Sequence, residues 1–146
     1  MRCPEPYVRR VNYYETDKMA IVHHSNYIRW FEEAREDFVR KAGIDYEQIE
    51  ANGILMAVVG VSCEYKYSAR YGDIVVIETR PVLFNGVRLN FEYTVREQSS
   101  GRVLVTGTSS HCFLGEDTRR PLNLERRMPE YCAILGSLMA ETGGDK

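Results

Sequence analysis

Asp17, His23 and His24 are the residues whose types and spacing could do chemistry. A carboxylate can attack as a nucleophile or act as general base on water, and an imidazole can move a proton near neutral pH. Asp17 lies in a loop, residues 15–24, among Met19, Ala20, Ile21 and Val22. Seven residues after it, at His24, a helical pattern begins. The first turn of a helix carries N–H groups without intrahelical acceptors and the positive end of the dipole. Such a terminus suits negative charge developing on a carbonyl oxygen. An ordinary aspartate, with a pKa of about 3.9, is a weak base at neutral pH, and partial burial beside Met19 and Ile21 would raise that value. From spacing alone, an acid in such a loop can equally be a turn or capping residue, so both roles stand open. The paired histidines hint at metal, but no third and fourth ligand stands at a suitable spacing. No metal site and no cofactor are expected.

The element that must position these groups is a long helix over residues 24–42. Tyr27, Phe31, Ala34, Phe38 and Ala42 follow in steps of four, three, four and four, one stripe of a 3.6-residue helix. Such a helix is about 28 Å long, near the width of a small domain. Ser25 or Asn26 could cap its start, and Gly43 follows its end. Tyr13 and Tyr14 would end a first strand over residues 7–14, as core or edge aromatics. A short helical turn is expected at 45–51.

From Ile54 the period changes to two. Leu55, Ala57, Val59, Val61, Cys63, Tyr65 and Tyr67 share one face, opposed by Met56 and Val58 and then by Ser62, Glu64 and Lys66. The first half of this strand is expected to be buried on both faces and the second half on one. Further strands are expected at 73–84, from Val87 on and at 103–114. Asn85-Gly86 makes the hairpin between the first two of these, and Ser99-Ser100-Gly101 makes the next turn. Leu89, Phe91, Tyr93 and Val95 alternate with Asn90, Glu92, Thr94 and Arg96. A short helix over 130–140 ends the pattern. The order is strand, long helix, four antiparallel strands: an α+β architecture with a curved sheet wrapped around the helix.

Composition narrows the function classes. The 146 residues suffice for one domain, 1–146, with a real core. A formal charge of −2 gives no electrostatic case for nucleic acid or an anionic membrane, and no apolar run reaches the length of a membrane span. The first ten residues lack the apolar centre of a signal peptide, so a cytoplasmic location is expected. Cys3, Cys63, Cys112 and Cys132 are scattered and read as reduced thiols.

Three segments carry a family resemblance. Tyr14-Glu15-Thr16-Asp17, Val22-His23-His24-Ser25-Asn26-Tyr27 and Phe31-Glu32-Glu33-Ala34-Arg35 together resemble the signature of hotdog-fold acyl-CoA thioesterases. The group is the 4-hydroxybenzoyl-CoA thioesterase-like family, including thioesterases encoded beside Tol-Pal genes. Tyr67-Ser68-Ala69-Arg70-Tyr71-Gly72-Asp73 and the Asn85-Gly86 hairpin match more weakly. The resemblance implies the hotdog fold, a five-stranded antiparallel sheet around a central helix, and hydrolysis of an acyl-CoA or acyl-carrier thioester. It places the essential carboxylate at Asp17 and an oxyanion-binding N–H at His24. The side chains of His24 and Tyr27 join the site without fixed roles. It implies homodimers formed by joining sheets edge to edge, or homotetramers, with sites shared between subunits. Ala20 stands where many members have glycine, which puts the path of the loop in question.

Other readings follow from the same residues. Glu33 is a second candidate acid, because another branch of hotdog thioesterases uses a carboxylate on this helix. Glu32 and Arg35 are expected to pair on the helix face, and His111 to decorate a strand. Arg70, Arg88, Arg119 and Arg120 could meet coenzyme A phosphates. A hotdog hydratase or dehydratase is disfavoured by Lys18-Met19-Ala20, which stands where that group typically has Asn-Pro. A non-catalytic acyl-CoA or acyl-carrier binding protein would keep the fold and lose the chemistry.

Overall fold

In the computed structural model, which describes residues 3–143, the chain runs β1 (Tyr7–Arg10), a 3-10 turn (Tyr13–Glu15), α1 (Ser25–Lys41) and α2 (Tyr46–Ala51). There follow β2 (Ile54–Tyr65), β3 (Ile74–Phe84), β4 (Arg88–Glu97), β5 (Val103–Gly115), a second 3-10 turn (Leu124–Arg126) and α3 (Pro129–Gly143). The five strands form one antiparallel sheet in the order β1-β3-β4-β5-β2. It curls around α1 as the alternation pattern requires.

The helical stripe is buried as expected: Tyr27, Phe31, Ala34, Phe38 and Ala42 all lie in the core, joined by Trp30 and Val39. Each large apolar side chain buried in this way contributes about 1.5–3 kcal/mol. Phe31 stacks face to face on Tyr93 of β4 with ring centroids 4.4 Å apart. Beside them Gly107 of β5 leaves room for the Phe31 ring. A Cβ there would strike that ring and come within 2.6 Å of the Ser62 carbonyl oxygen. Gly43, at φ +100°, ends the helix in the conformation that glycine adopts at least strain. Leu89, Phe91, Tyr93 and Val95 of β4 all face the core. Pro81 sits at a bulge in β3, beyond the Tyr7–Ile77 pair where β1 stops, so its missing N–H breaks no ladder on that side.

Several expectations are corrected. The first strand ends at Arg10, and Tyr13 and Tyr14 enter a 3-10 turn with 74% and 80% of their surface exposed. Neither Ser25 nor Asn26 caps α1; His24 occupies the N-cap position, with no side-chain cap bond. The final helix has 15 residues and carries Leu135 and Leu138 into the core, so it is a second substantial helix.

The largest correction concerns β2. Val59 is an extra residue in the ladder: Val58 pairs with His111 and Gly60 with Ser110. One inserted residue exchanges the two faces, so Ile54, Met56 and Val58 point inward before the bulge and Val61, Cys63 and Tyr65 after it. The expected single face mixed inward and outward positions. β2 is also an edge strand, and its first half is not buried on both sides: Val58 and Val59 are 54% and 51% exposed.

Candidate active site

The loop carrying Asp17 is a small hairpin sewn to three neighbours. Within it, Asp17 N–H donates to the Ile21 carbonyl at 2.9 Å and Ala20 N–H to the Asp17 carbonyl at 3.0 Å. Ala20 takes φ +64°, the left-handed conformation that glycine adopts without strain. The loop thus keeps the turn in which alanine is the strained residue. Val22 N–H donates to the Ala69 carbonyl at 2.9 Å, and Ile21 bridges to Arg70, which fastens the loop to the 67–73 turn. Asn26, buried, donates through Nδ2 to the Glu15 carbonyl at 3.0 Å and the His23 carbonyl at 3.3 Å. Asn26, one of the two expected cap residues, is instead the rivet between loop and helix.

Beneath the loop lies Glu15, 3% exposed. Its carboxylate accepts from Arg9 Nη1 at 2.8 Å, Trp30 Nε1 at 2.7 Å and the Asn12 N–H at 2.8 Å. Arg9 also lies over the Trp30 ring, 4.7 Å from its centroid. Burial pushes the Glu15 carboxyl up, but the bonds from Arg9, Trp30 and the Asn12 backbone prevail and hold it below the ordinary glutamate value. This anchor was missed from sequence, because Arg9 and Trp30 reach Glu15 only through the fold.

Asp17 itself is exposed, and Oδ1 accepts from Met19 N–H at 2.8 Å. The burial expected beside Met19 is absent, since Met19 is 76% exposed. A shallow cleft joins Asp17 to Thr16, His23, Ser25, Asn26 and Arg29. His23 and His24 stack with centroids 4.2 Å apart, and His23 Nδ1 lies 2.9 Å from Ser25 Oγ. Ser25 N–H turns toward His23 Nδ1 at 3.3 Å, and Asn26 N–H donates to the His23 carbonyl at 3.0 Å. The His24 N–H meets no acceptor among the described residues, and it stands at the start of α1. The cleft that Asp17 lines is bordered by His23, Ser25 and Arg29 and not by His24, whose ring packs edge-on to Tyr65 of β2, so the free donor and the loop carboxylate belong to adjoining segments rather than to one cleft.

The remaining candidates separate. Tyr27 is 2% exposed, and its hydroxyl accepts from Ala69 N–H at 3.0 Å. It packs against Trp30 and Tyr65, fixing the 67–73 turn to the helix rather than facing the cleft. Glu33 is engaged by Tyr7 and by Arg9 Nε at 3.0 and 2.9 Å on the β1 side. Nine residues from His24, it points about 180° away around the helix. Glu32 and Arg35 do not pair; Arg35 turns into the core, 7% exposed. His111 is on β5 as expected but is fully buried. Arg70 borders the Asp17 loop, whereas Arg88, Arg119 and Arg120 lie toward the other end of the sheet.

A helix-filled, five-stranded antiparallel half-barrel with these groups at its helix N-terminus is a hotdog-fold protein of the thioesterase class. The model of the thioesterase-like superfamily matches residues 11–130, and the chain belongs to that family. It is 31% identical to YneP of Bacillus subtilis, provisionally named an acyl-CoA thioesterase, over 83% of this chain and 87% of that one. It is 29% identical to the acyl-CoA thioester hydrolase YbgC of Escherichia coli over 56% of this chain and 61% of YbgC. Among solved structures, a DHNA-CoA thioesterase from Staphylococcus aureus superposes with a TM-score of 0.91 at 30% identity, covering 97% and 95% of the two chains.

Proposed function

We propose that this protein hydrolyses an acyl-CoA thioester to the free acid and coenzyme A, with Asp17 as nucleophile or general base. The observation that carries the reading is the His24 N–H at the start of α1, without an acceptor among the described residues, at the end of the loop that carries the exposed Asp17. The thioester carbonyl oxygen would accept from that N–H, where the helix dipole favours the oxyanion. Asp17 would either attack the carbonyl carbon to give an anhydride that water opens, or take a proton from the attacking water. Thiolate leaves in both cases and takes up a proton. The His24 side chain, exposed beside the donor, is in reach for that proton, and Tyr27 acts as a positioning residue. The names carried by YneP, YbgC and the Staphylococcus aureus structure support the substrate class.

The finer placement with Tol-Pal-associated thioesterases belongs to this proposal and rests on the motif residues 14–17 and 22–27. So do the single domain over 1–146 and a cytoplasmic location; no described helix is long and apolar enough to cross a membrane. The second copy is also proposed. β2 leaves one side of its ladder unpaired and exposes Val58, Val59 and Val61, which suits edge-to-edge pairing with another β2 in a homodimer or in the dimers of a homotetramer.

The test is release of free thiol from a panel of acyl-CoAs by wild type and Asp17→Asn. A drop of about a hundredfold or more in a folded Asp17→Asn protein supports the assignment. Unchanged turnover removes Asp17 from the mechanism. Saturable binding without turnover by wild type means a binding protein.

A further inference from the structure

His23 and Ser25 line the Asp17 cleft, and neither has a part in the proposed Asp17 chemistry. His23 Nδ1 lies 2.9 Å from Ser25 Oγ and 3.3 Å from the Ser25 backbone nitrogen. A backbone N–H only donates, so Nδ1 is the accepting nitrogen and the hydrogen of the neutral ring belongs on Nε2. On the other side of Ser25, Arg29 Nη1 donates to Oγ at 3.2 Å. A guanidinium offers no lone pair, so Oγ accepts from Arg29 and its own hydrogen turns to His23. Direction therefore runs one way, from Arg29 to Ser25 to His23.

This is the polarity that a serine nucleophile needs. Its proton faces a base, and the oxygen left behind faces a cation. Ser25 is also the first residue of α1, where the positive end of the helix dipole favours a developing alkoxide. The serine is half-buried while His23 is exposed, so the base can exchange its proton with water. A cap on the first turn would use the Nδ1 acceptor alone and leave the hydroxyl to solvent; here the hydroxyl is held between Arg29 and His23. Asp17 lines the same cleft, with Oδ1 committed to the Met19 N–H at 2.8 Å. Its second oxygen has no partner among the described residues and is available as a base.

We infer that Ser25 and His23 form a nucleophile and base pair that takes the acyl group from the thioester, and that Asp17 is the base on the water that releases it. The inference rests on the proposed acyl-CoA reading for its substrate and selects one of the two roles given there to Asp17. Ser25 Oγ bonds to the thioester carbon as its proton passes to His23 Nδ1. The C–S bond breaks, and coenzyme A leaves as thiolate and takes up a proton from His24 or water. Water then attacks the Ser25 ester while Asp17 takes its proton. The ester C–O bond breaks, Ser25 Oγ recovers the proton held by His23, and Asp17 returns its own to solvent. The sum is thioester and water to acid and thiol. Arg29 touches Ser25 and not the substrate, so it is a positioning residue.

The experiment has two readouts, the first independent of thioester turnover. An alkyl fluorophosphonate reports a nucleophilic serine: Oγ bonds to phosphorus, fluoride leaves and the proton passes to His23. Peptide mapping of labelled wild type by mass spectrometry is expected to place the adduct on Ser25. Labelling should slow about a hundredfold in His23→Gln, whose amide oxygen still accepts from the Ser25 N–H but takes no proton. The second readout is thiol release in the first turnovers with an acyl-CoA. Asp17→Asn is expected to release a burst of about one thiol per site before its slow phase, with the acyl group recovered on Ser25 after acid quenching. No adduct on Ser25, or labelling as fast in His23→Gln as in wild type, overturns the pair. So does a Ser25→Ala protein that releases thiol at the wild-type rate. A slow Asp17→Asn protein without any burst returns Asp17 to the nucleophile role and overturns acyl transfer to Ser25. Labelling of Ser25 at a rate that depends on His23, in a wild type that hydrolyses no acyl-CoA, supports the pair and strikes the substrate reading instead.

Discussion

The carboxylate of Glu15 accepts the indole N–H of Trp30 at 2.7 Å, both side chains almost wholly buried, and this bond ties the Asp17 loop to the middle of α1. It makes Glu15 the residue on which the position of the loop depends. Replacing it by alanine leaves Arg9 Nη1, Trp30 Nε1 and the Asn12 N–H without their shared acceptor. Loss of one partner from a buried ion pair costs about 3–5 kcal/mol. Chemical denaturation of Glu15→Ala is expected to show a loss of that order, and Glu15→Gln a smaller one because an amide oxygen still accepts. Equal stability of Glu15→Ala and wild type would refute the anchor.

Acid stability follows from two shifted groups. Glu15 has a folded value below the ordinary one, so its contribution is complete above about pH 4.3 and disappears as pH falls through the folded value. His111 is lowered to about 4, by burial first and by the Arg35 charge second. Below about pH 6.5 the unfolded chain protonates this histidine and the folded one does not. Stability is therefore full above about 6.5 and falls as pH drops toward 4, by a few kcal/mol for a shift of this size. Denaturation midpoints measured from pH 7 to pH 4 should decline in wild type and decline much less in His111→Gln. Parallel curves would mean that His111 is not what titrates.

Ala20 and Gly107 give opposite expectations for small substitutions. Ala20→Gly relieves the left-handed backbone at φ +64°, worth about 1–2 kcal/mol, less about 0.4–1 kcal/mol from the freer unfolded chain. A net gain of about 0.5–1 kcal/mol in denaturation is expected. Gly107→Ala drives a methyl into the Phe31 ring and the Ser62 carbonyl, and overpacking of this kind costs about 1–3 kcal/mol. A Gly107→Ala protein as stable as wild type would mean that α1 packs less closely on β5 than described.

These cases mark what could be read from sequence. The stripe from Tyr27 to Ala42, the alternation in β4 and the Asn85-Gly86 turn were legible, because each is a local period or a local turn chemistry. The bulge at Val59 was not, since β2 remains apolar on both sides of it and one inserted residue exchanges the faces without leaving a mark. Nor were the buried roles of Glu15, Asn26 and Arg35. Arg35 meets Tyr93 across 58 positions, and nothing near Arg35 in the chain separates that contact from the expected surface pair with Glu32. The loop and helix start were legible as a candidate site through the family motif. That Glu33 faces the opposite side of α1 became visible only with its partners Tyr7 and Arg9 in place.

The exposed edge of β2 predicts a change of assembly. If β2 pairs with a second β2, a charge at Val59 or Val61 is desolvated in the joint and repelled by its symmetry mate. Val59→Lys and Val61→Lys should each shift sedimentation toward the monomer while far-UV circular dichroism is retained. Wild type sedimenting as a monomer at micromolar concentration would remove the proposed joint.

The role of His24 divides cleanly between backbone and side chain. His24→Ala keeps the N–H at the helix start and removes the imidazole. His24→Pro removes the N–H itself, and the φ of −55° at this position suits the fixed φ of proline. Losing an oxyanion donor lowers kcat by about a hundred- to a thousandfold. His24→Pro is therefore expected to fall by that much in kcat with KM for the acyl-CoA little changed, in a protein whose melting curve resembles wild type. His24→Ala should fall less, by the part the imidazole plays in proton transfer. If the two variants lose activity equally, the side chain carries the effect and the helix terminus is not the oxyanion site. If neither loses activity, the thioester carbonyl binds elsewhere and the start of α1 is not the oxyanion site.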